Sequence, residues 1–447
     1  MAPKYNRPDA PVPATYGREE GSRNANLALP RWQQFFTDPT MQRLVGIALE
    51  NNRDYRAALL NIEKTRAQYR IQRADLLPTV EAAAASDAQH LPAEFTGTGE
   101  KGVVRQYSAT LGFSAFELDL FGRVRSLTEG ALEIYHSVEN DAATARLSLM
   151  AEVAGVYLQL VSDKELLDIT TNTYQNRKGQ YSLIRNKFLN GAASQLEVSQ
   201  AETIMEEARS NVARYETAVG QDENYLALLL GASLPDDMPD VRKLADVKML
   251  ADVPEGLPST LLERRPDIIA AEHRLMAANA NIGAARANFF PSISLTGQLG
   301  YLSSDTSDLF RGGARYWSFV PGATLPLFDT GRNIARLDVS EKEKEIAVAQ
   351  YEGSIQNAFR EVRDALVQRR NIDRQLDAEA ALLKASTTAF NLASSRYNVG
   401  VDSYLNVLDA QRALYNAEQS YIATRLLRET NALTLYKALG GGWDERQ

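Results

Sequence analysis

The sequence has 447 residues, a formal net charge of -8 and a charged fraction of 24%, without a block of one sign. This balance speaks against nucleic-acid binding and against a basic helix on a membrane surface. The absence of cysteine excludes disulfides, thiolate metal sites and a cysteine nucleophile.

Two features bear on the location of the protein. Met1 is followed by Ala-Pro-Lys-Tyr rather than by a basic and then an apolar segment, so we expect a cytosolic protein or a mature or engineered form. The most apolar helical stretch, residues 147–161, contains Glu152 and is shorter than the roughly 18 residues that span a bilayer. If this protein crosses a membrane, it must do so with strands.

The chain begins with an arm and a helix. Six prolines in residues 1–40 predict an extended arm that lies on a folded body. Apolar residues at helical spacing then predict a helix from Met41 to Leu77, which Pro78 ends.

A change of period follows this helix. From Tyr107 to Ala115, apolar residues alternate with small or polar ones, which predicts a strand with one apolar face. Residues 79–86 are the expected partner strand, and the Gly-rich residues 95–102 are the loop between them. We therefore predict a β-hairpin over about residues 79–119.

A very long helix comes next. The helical pattern runs from Gly122 to about Leu189, roughly 68 residues or about 100 Å. Gly191 can adopt positive φ and close this helix, and Ser194 with Glu197 fits a capping box that starts a return helix. The first repeat, residues 41–230, thus ends in a long helical hairpin with its tip near residue 191.

A second unit follows a proline-rich connector at residues 231–258. Residues 259–440 predict a helix, a β-hairpin over about residues 291–328 in which Pro321 interrupts the ladder, and another long helical hairpin. Its tip lies near residue 400, where Gly400 can end one helix and Ser403 can cap the next. Residues 441–447 form a C-terminal tail.

The two units are copies at a constant offset of 209 residues. Gly122 corresponds to Gly331, and Gly191 to Gly400, with no slip between them or over the following return helix. The offset between the two units stays constant over about 110 residues, without insertions or deletions. The lengths of the helices must therefore be constrained, as they are in packed repeats.

Each chain offers only four strands, whose alternation and aromatic residues are typical of a transmembrane barrel wall. Four strands cannot close a barrel, and open edges are not tolerated in lipid. We therefore expect an α+β membrane protein in which three chains form a twelve-stranded β-barrel, continuous with a long α-helical barrel. The expected membrane-facing aromatics are Tyr107, Phe113, Tyr301, Trp317 and Phe319.

Six motifs spread over the whole chain resemble one family. They are ELDLFGR at residues 117–123, RRPDI at 264–268, AANANIGAAR at 277–286, FPSISLT at 290–296, LDAQR at 408–412 and YKALGGGW at 436–443. Together they are similar to the outer-membrane factor (TolC-type) family, in the lipoprotein branch that serves resistance-nodulation-division (RND) efflux pumps.

The resemblance implies a homotrimeric duct in the outer membrane of a Gram-negative bacterium, with a helical tunnel in the periplasm. A periplasmic adaptor (membrane fusion) protein and an inner-membrane RND transporter would open its tip, and outer-membrane lipid would surround the strands. Such ducts export drugs, metal ions or other solutes, and the substrate is selected upstream.

One departure from the family concerns the start of the chain. The branch usually begins its mature chain with a lipidated cysteine shortly before a Pro-x-Tyr-x-x-Pro segment. Residues 3–8 supply that segment but no cysteine precedes it, so either this form is truncated or this member lacks the anchor.

Asp409 is the main candidate for a functional residue. The resemblance places Asp409 at the periplasmic constriction, with Leu405 one turn nearer the tip as an apolar collar. Three-fold symmetry would turn Asp409 into an acidic ring, and such a ring attracts cations and disfavours its own full ionisation. The alternative is a solvated aspartate paired with Arg412 three residues later.

The two tips differ chemically. Arg412 and Asp409 correspond to Thr203 and Gln200 in the first unit, so we expect the second tip to swing while the first stays. Arg412 would hold the closed state through bonds to another helix; the alternative is ordinary surface variation. The tips themselves, where the adaptor is expected to make contact, are marked by Gly191, Ser194, Gly400 and Ser403.

No catalytic pattern emerges. His90, His136 and His273 are isolated in the sequence and show no metal-ligand spacing, and no phosphate loop or nucleophile elbow occurs. Glu361 and Asp364 on the second long helix are expected to be solvated. We predict neither an enzyme nor a cofactor.

Two other functions remain open from the sequence. A soluble coiled-coil scaffold would also use long helices, but it would bury the apolar strand face in a core rather than in lipid. A type I secretion duct would export polypeptides through the same fold, and only its partner proteins would distinguish it.

Overall fold

A computed structural model describes residues 1–13, 16, 30–96, 99–247 and 264–441. Parts of the predicted arm, most of the second half of the connector and nearly all of the C-terminal tail therefore lie outside the described residues. The chain divides into two compact units. The first comprises Met1–Asp9, Asn61–Glu139 and Ile269–Gly353, and the second comprises Ala10–Leu60, Asn140–Ile268 and Ser354–Gln447.

The first unit contains an antiparallel sheet with the order β1-β2-β3-β4. Its strands are β1 Glu81–Leu91, β2 Gly102–Glu117, β3 Ser292–Ser303 and β4 Arg315–Thr324. The register between β2 and β3 shifts between Phe113 and Phe116, and Ala115 has a φ of 52°. This bulge breaks the alternation that the sequence predicts through Ala115, because a bulge inserts an unpaired residue.

Two details of the predicted hairpins are wrong. The first strand extends to Leu91, beyond the predicted end at residue 86. Pro321 does not interrupt its ladder, since β4 continues through it and Pro321 lies opposite Leu295 in β3. The sheet order makes β4 an edge strand, where a missing backbone N–H is tolerated.

The helices are α1 Trp32–Phe35, α2 Pro39–Asn51, α3 Arg53–Ala74, α4 Arg123–Leu189, α5 Gln195–Leu230, α6 Pro266–Ala287, α7 Arg332–Asn398 and α8 Tyr404–Ala438. Both α4 and α7 have 67 residues, and α7 begins 209 residues after α4. None of the helices in the described chain is both long and apolar enough to cross a bilayer.

The predicted first helix is in fact two helices, α2 and α3. Asn52 separates them: its side-chain amide donates to the Leu229 carbonyl at 2.9 Å, and its Oδ1 accepts from the Tyr55 N–H at 2.8 Å. A polar side chain that caps the second helix also fixes its position against α5. The arm is likewise shorter than predicted, because α1 and the start of α2 fall within residues 1–40.

The first residues of the chain lie on α6, within the first unit. The side chain of Asn279 donates to the Pro3 carbonyl at 2.8 Å. The carboxylate of Glu272 accepts from Tyr5 Oη at 3.1 Å and from Arg7 Nε at 2.8 Å. An extended arm without its own backbone ladder is therefore fixed by side-chain hydrogen bonds.

The main core lies in the second unit. Phe35 stacks on Tyr436 with ring centroids 4.0 Å apart, and Tyr157 and Leu226 are almost completely buried beside them. Burial of each such side chain contributes about 2 kcal/mol. Gly231 ends α5 with a φ of 64°, and a Cβ at this position would lie 2.4 Å from the Asn51 carbonyl oxygen. Glycine is required here by both conformation and space.

A carboxyl pair in the second unit gives a pH prediction. Asp222 of α5 lies beside Asp163 of α4, and burial, the hydrogen bond with Asp163 and its negative charge raise the pKa of Asp222 to about 7. The folded state therefore binds this proton more tightly than the unfolded state, so its contribution to stability falls as pH rises from about 4 to 7. The repeat counterpart of Asp222 is Asn431, a buried amide bonded to Gln368 Oε1 at 2.7 Å.

We expect Asp222→Asn to raise stability at pH 8 by about 1–2 kcal/mol, because one pKa unit is worth about 1.4 kcal/mol and the site is only partly buried. Thermal unfolding at pH 5 and pH 8 measures the effect. Asp236→Asn, on an exposed aspartate of the connector, is the control. An equal shift at both pH values would show that Asp222 is not the titrating group.

Candidate functional site at the hairpin tips

The tips of the two long helical hairpins pack against each other in the second unit. Ile184, Val198 and Ala201 of the first hairpin form a buried cluster with Tyr404 and Val407 of the second. The second hairpin thus rests on a small apolar contact near its end. A contact of this size can be broken without unfolding the helices behind it.

The turn between α4 and α5 at the first tip has the structure that the sequence predicts. Gly191 has a φ of 73°, in the left-handed region that glycine favours. Ser194 Oγ accepts from the Glu197 N–H at 3.2 Å, and Glu197 Oε2 accepts from the Ser194 N–H at 2.6 Å. These reciprocal bonds form a capping box and fix the start of α5.

The second tip uses a different residue from the one predicted. Gly400 has a φ of 77°, but Ser403 makes no side-chain capping bond, so the predicted cap is wrong. Asp402 takes its place: its carboxylate accepts from the Ser403 N–H at 2.9 Å, from Asn406 Nδ2, and from Arg396 Nε at 3.2 Å. These donors hold the pKa of Asp402 below its usual range.

The sequence contains the reason for this difference. The position of Glu197 is occupied by Asn406 in the second unit, so no capping box can form there. Asp402, whose counterpart is Ala193, supplies the missing acceptor. The first tip is therefore held by an uncharged hydroxyl and a glutamate, and the second by an ion pair between Arg396 of α7 and Asp402 in the loop before α8.

The two caps should respond differently to mutation. We expect Ser194→Ala to destabilise the start of α5 by about 1 kcal/mol, the usual loss for a capping hydroxyl. The matched change, Ser403→Ala, should have little effect because that hydroxyl caps nothing. Amide hydrogen exchange in the first turns of α5 and α8 distinguishes the two, and similar losses of protection in both variants would contradict the assignment.

The predicted gate residues lie together on α8. Leu405 is 53% exposed, although it is apolar. Arg412 Nη2 donates to Asp409 Oδ1 at 2.6 Å, and both side chains are exposed. In the described part of the chain, the ion-pair partner of Arg412 thus lies on its own helix, and the predicted bond to another helix is not the one observed.

The sequence does not predict the role of Arg177, a residue of α4 that contacts both α5 and α8 near the tips. Arg177 of α4 is 3% exposed, and its Nη1 donates to the Ile204 carbonyl of α5 at 2.8 Å. Its guanidinium lies 5.5 Å from the centre of the Tyr415 ring of α8. Burial lowers the pKa of Arg177, although Glu207 opposes this. The repeat counterpart is Ser386, so only the fold reveals the contact.

The five aromatic residues expected to face the membrane lie on one face of the sheet. Residues opposite one another on neighbouring strands point to the same side. Phe113 and Phe319 both lie opposite Gly297, and Trp317 lies opposite Leu299 two residues further along β3. The same register places Tyr107 and Tyr301 on this face, and Trp317 is 77% exposed.

Two histidines that are isolated in the sequence meet in the first unit. The rings of His136 and His273 are 5.3 Å apart. Nδ1 of His273 lies 2.6 Å from a carboxylate oxygen of Glu133, and Nδ1 of His136 lies 2.9 Å from Glu139. Even so, the described residues contain no group of three or more His, Cys, Asp or Glu side chains arranged to hold a metal ion.

Comparisons with known proteins agree over nearly the whole chain. The family model described as "Outer membrane efflux protein" matches residues 44–232 and again residues 257–441. The chain is 48% identical over 451 residues to "Probable efflux pump outer membrane protein TtgC" of Pseudomonas putida, with 100% of this chain and 93% of that protein covered.

Two solved structures are similar to the fold. A membrane protein from Pseudomonas aeruginosa superposes with a TM-score of 0.93 at 44% identity, covering 100% of this chain and 98% of that one. The open state of the MtrE outer membrane channel of Neisseria gonorrhoeae gives a TM-score of 0.88 at 37% identity, covering 99% and 98%.

Proposed function

This chain belongs to the outer membrane efflux protein family, and we propose that it is the exit duct of a tripartite pump that carries solutes from the periplasm to the outside. The observation that carries the proposal is similarity over the full length, at 48% identity, to an efflux pump outer membrane protein. The protein is located in the outer membrane, with a periplasmic extension. We assign it no catalytic role.

A trimer with twelve strands is the assembly that we propose. One chain contributes a sheet of four antiparallel strands in which β1 and β4 have open edges. Edges of this kind require pairing in lipid, and eight strands leave an interior that side chains fill. Three chains give the smallest ring expected to conduct, with the aromatic face of the sheet against lipid.

We infer that the chain is an internal duplication that builds the tunnel wall. The family model matches it twice, and α4 and α7 have the same length. Where the copies differ, we place the gate: Leu405 as an apolar collar, Asp409 as an acidic ring, and Arg412 as the cation that neutralises this ring and so favours the closed state.

The partners follow from this arrangement. A periplasmic adaptor would contact the tips around Gly191, Ser194, Gly400 and Ser403, and an inner-membrane RND transporter would deliver the solute. Disruption of the ion pair between Arg396 and Asp402 by the adaptor is a route to opening, because Asp402 connects Arg396 of α7 with Asn406 of α8.

Complementation tests the proposal. The chain is expressed in a Gram-negative strain that lacks its own efflux duct but keeps an RND pump and adaptor, and export of a fluorescent pump substrate is measured. Restored export and a native mass of three chains in detergent would support the duct. A monodisperse monomer without detergent would favour the scaffold alternative, and rescue of polypeptide secretion alone would favour the type I alternative.

A further inference from the structure

A cavity lies in the first unit where the sheet ends and the long helices begin. It has a volume of about 290 Å³ and is lined by the residues that follow β2 and β4, by the first turns of α4 and α7, and by the end of α6. The proposed gate residues lie on α8 in the second unit and do not line this cavity.

The carboxylates that line the cavity are largely engaged. Glu117 accepts from Arg123 Nε at 2.8 Å, and Asp329 Oδ2 accepts from the Asn333 N–H at 2.9 Å. Asp119 Oδ2 accepts from the Arg125 N–H at 2.9 Å and from Arg125 Nε at 3.2 Å. Each of these carboxylates therefore already has a donor within the chain.

Two arginines of the same cavity are unpaired. Arg332 and Arg336 are exposed, and their guanidinium groups have no hydrogen-bond or ion-pair partner in the described ranges. They lie four residues apart on α7, so they project from the same side of the helix on successive turns. Two guanidinium groups in this arrangement can donate paired N–H hydrogen bonds to the oxygens of one phosphate group.

Apolar side chains stand beside these charges. Leu327 and Phe328, between β4 and α7, are 90% and 88% exposed. Leu120 and Phe290, which line the cavity, are 56% and 42% exposed. A surface that combines large apolar side chains with unpaired arginines fits a molecule that has an anionic head and hydrocarbon chains.

We propose that this cavity binds the headgroup of an anionic phospholipid, of the phosphatidylglycerol class, from the periplasmic leaflet of the outer membrane. The phosphate would lie between Arg332 and Arg336, and the acyl chains along Leu327 and Phe328. The inference rests on the outer-membrane location of the protein, because the sheet must end where hydrocarbon gives way to headgroups.

The test uses the assembled protein, extracted in mild detergent and studied by native mass spectrometry. We expect the wild type to retain phosphatidylglycerol in preference to phosphatidylethanolamine, because the unpaired charges of the cavity are positive. The double variant Arg332→Gln/Arg336→Gln should retain roughly tenfold less, since charge-assisted bonds to phosphate are lost. Arg360→Gln/Arg374→Gln is the matched control, because it removes the same charge from exposed positions of the same helix.

Four outcomes would overturn the proposal. They are equal retention by both double variants, equal retention of the two lipids, displacement of the lipid by millimolar inorganic phosphate, and protection of the cavity by a neighbouring chain in place of lipid. Trimer mass and solute export of each variant are measured in parallel. A trimer that exports but retains no lipid refutes this inference alone, whereas a chain that neither inserts nor exports refutes the proposed function.

Discussion

Arg412→Ala should increase the resting conductance of the duct about tenfold. Arg412 lies 2.6 Å from Asp409 on an exposed face, and in the proposed trimer its removal would leave three unneutralised carboxylates facing one another at the closed tip. Two carboxylates about 8 Å apart in water repel each other by about 0.5 kcal/mol. The three pairs of a three-fold ring give about 1.5 kcal/mol against the closed state, which is about tenfold in the ratio of open to closed channels. Single-channel recording in planar bilayers measures this ratio.

The variant should also become more selective for cations, and this gives the prediction a second readout. Asp409→Asn/Arg412→Gln removes both charges and should return conductance towards the wild type. Thr203→Ala, the corresponding change at the first tip, should leave conductance unchanged. If Arg412→Ala conducts as the wild type does, or if Thr203→Ala opens the channel equally, the assignment of the gate to α8 is wrong.

Arg265→Ala should lower the free energy of unfolding of the second unit by about 3 kcal/mol. The side chain is only 9% exposed, and it binds the nearby Asp267 and two groups that are distant in the chain. Its Nη1 donates to the Ala438 carbonyl at 2.6 Å and to Glu361 at 3.0 Å, and its Nη2 donates to Asp267 at 2.7 Å. Its removal leaves the buried Ala438 carbonyl without a donor and two partly exposed carboxylates without their cation, which together cost more than one exposed ion pair.

The preceding residue provides the control. Arg264 is exposed, so Arg264→Ala should change stability by less than about 0.5 kcal/mol. Arg265→Lys keeps the charge but loses the fork of donors, and an intermediate loss is expected. Thermal unfolding of the purified protein and its level in the outer membrane are the measurements. Equal losses for Arg264→Ala and Arg265→Ala would refute the structural role.

The sequence predicts the family, the location and the order of the long helices better than it predicts individual side-chain contacts. The comparisons confirm the family, the outer-membrane location and the efflux function that the motifs indicate. The structure has helices α4 and α7 where unbroken periodicity predicts them. Apolar residues that repeat at helical spacing over many turns form one continuous face only when the segment is an α-helix. Ser194 also caps as predicted, since cap and acceptor are only three residues apart.

Contacts between residues that are far apart in the sequence cannot be predicted from local patterns. Arg177 shows no pattern, because its partners come from α5 and α8 and only the fold brings them together. His136 and His273 are far apart in the chain and adjacent in space. The sequence predicts that Pro321 interrupts the ladder, but β4 continues through Pro321 opposite Leu295, because β4 is an edge strand within one chain.

The number of strands in the sheet determines how copies of the chain can join. Four consecutive antiparallel strands end with β1 and β4 pointing in opposite directions, because their number is even. In the proposed trimer, a second copy in the same orientation would therefore bring its β1 alongside β4 as an antiparallel neighbour. With three or five strands the seam would be parallel. The even number would let identical chains join edge to edge by rotation alone, with every seam of the same kind.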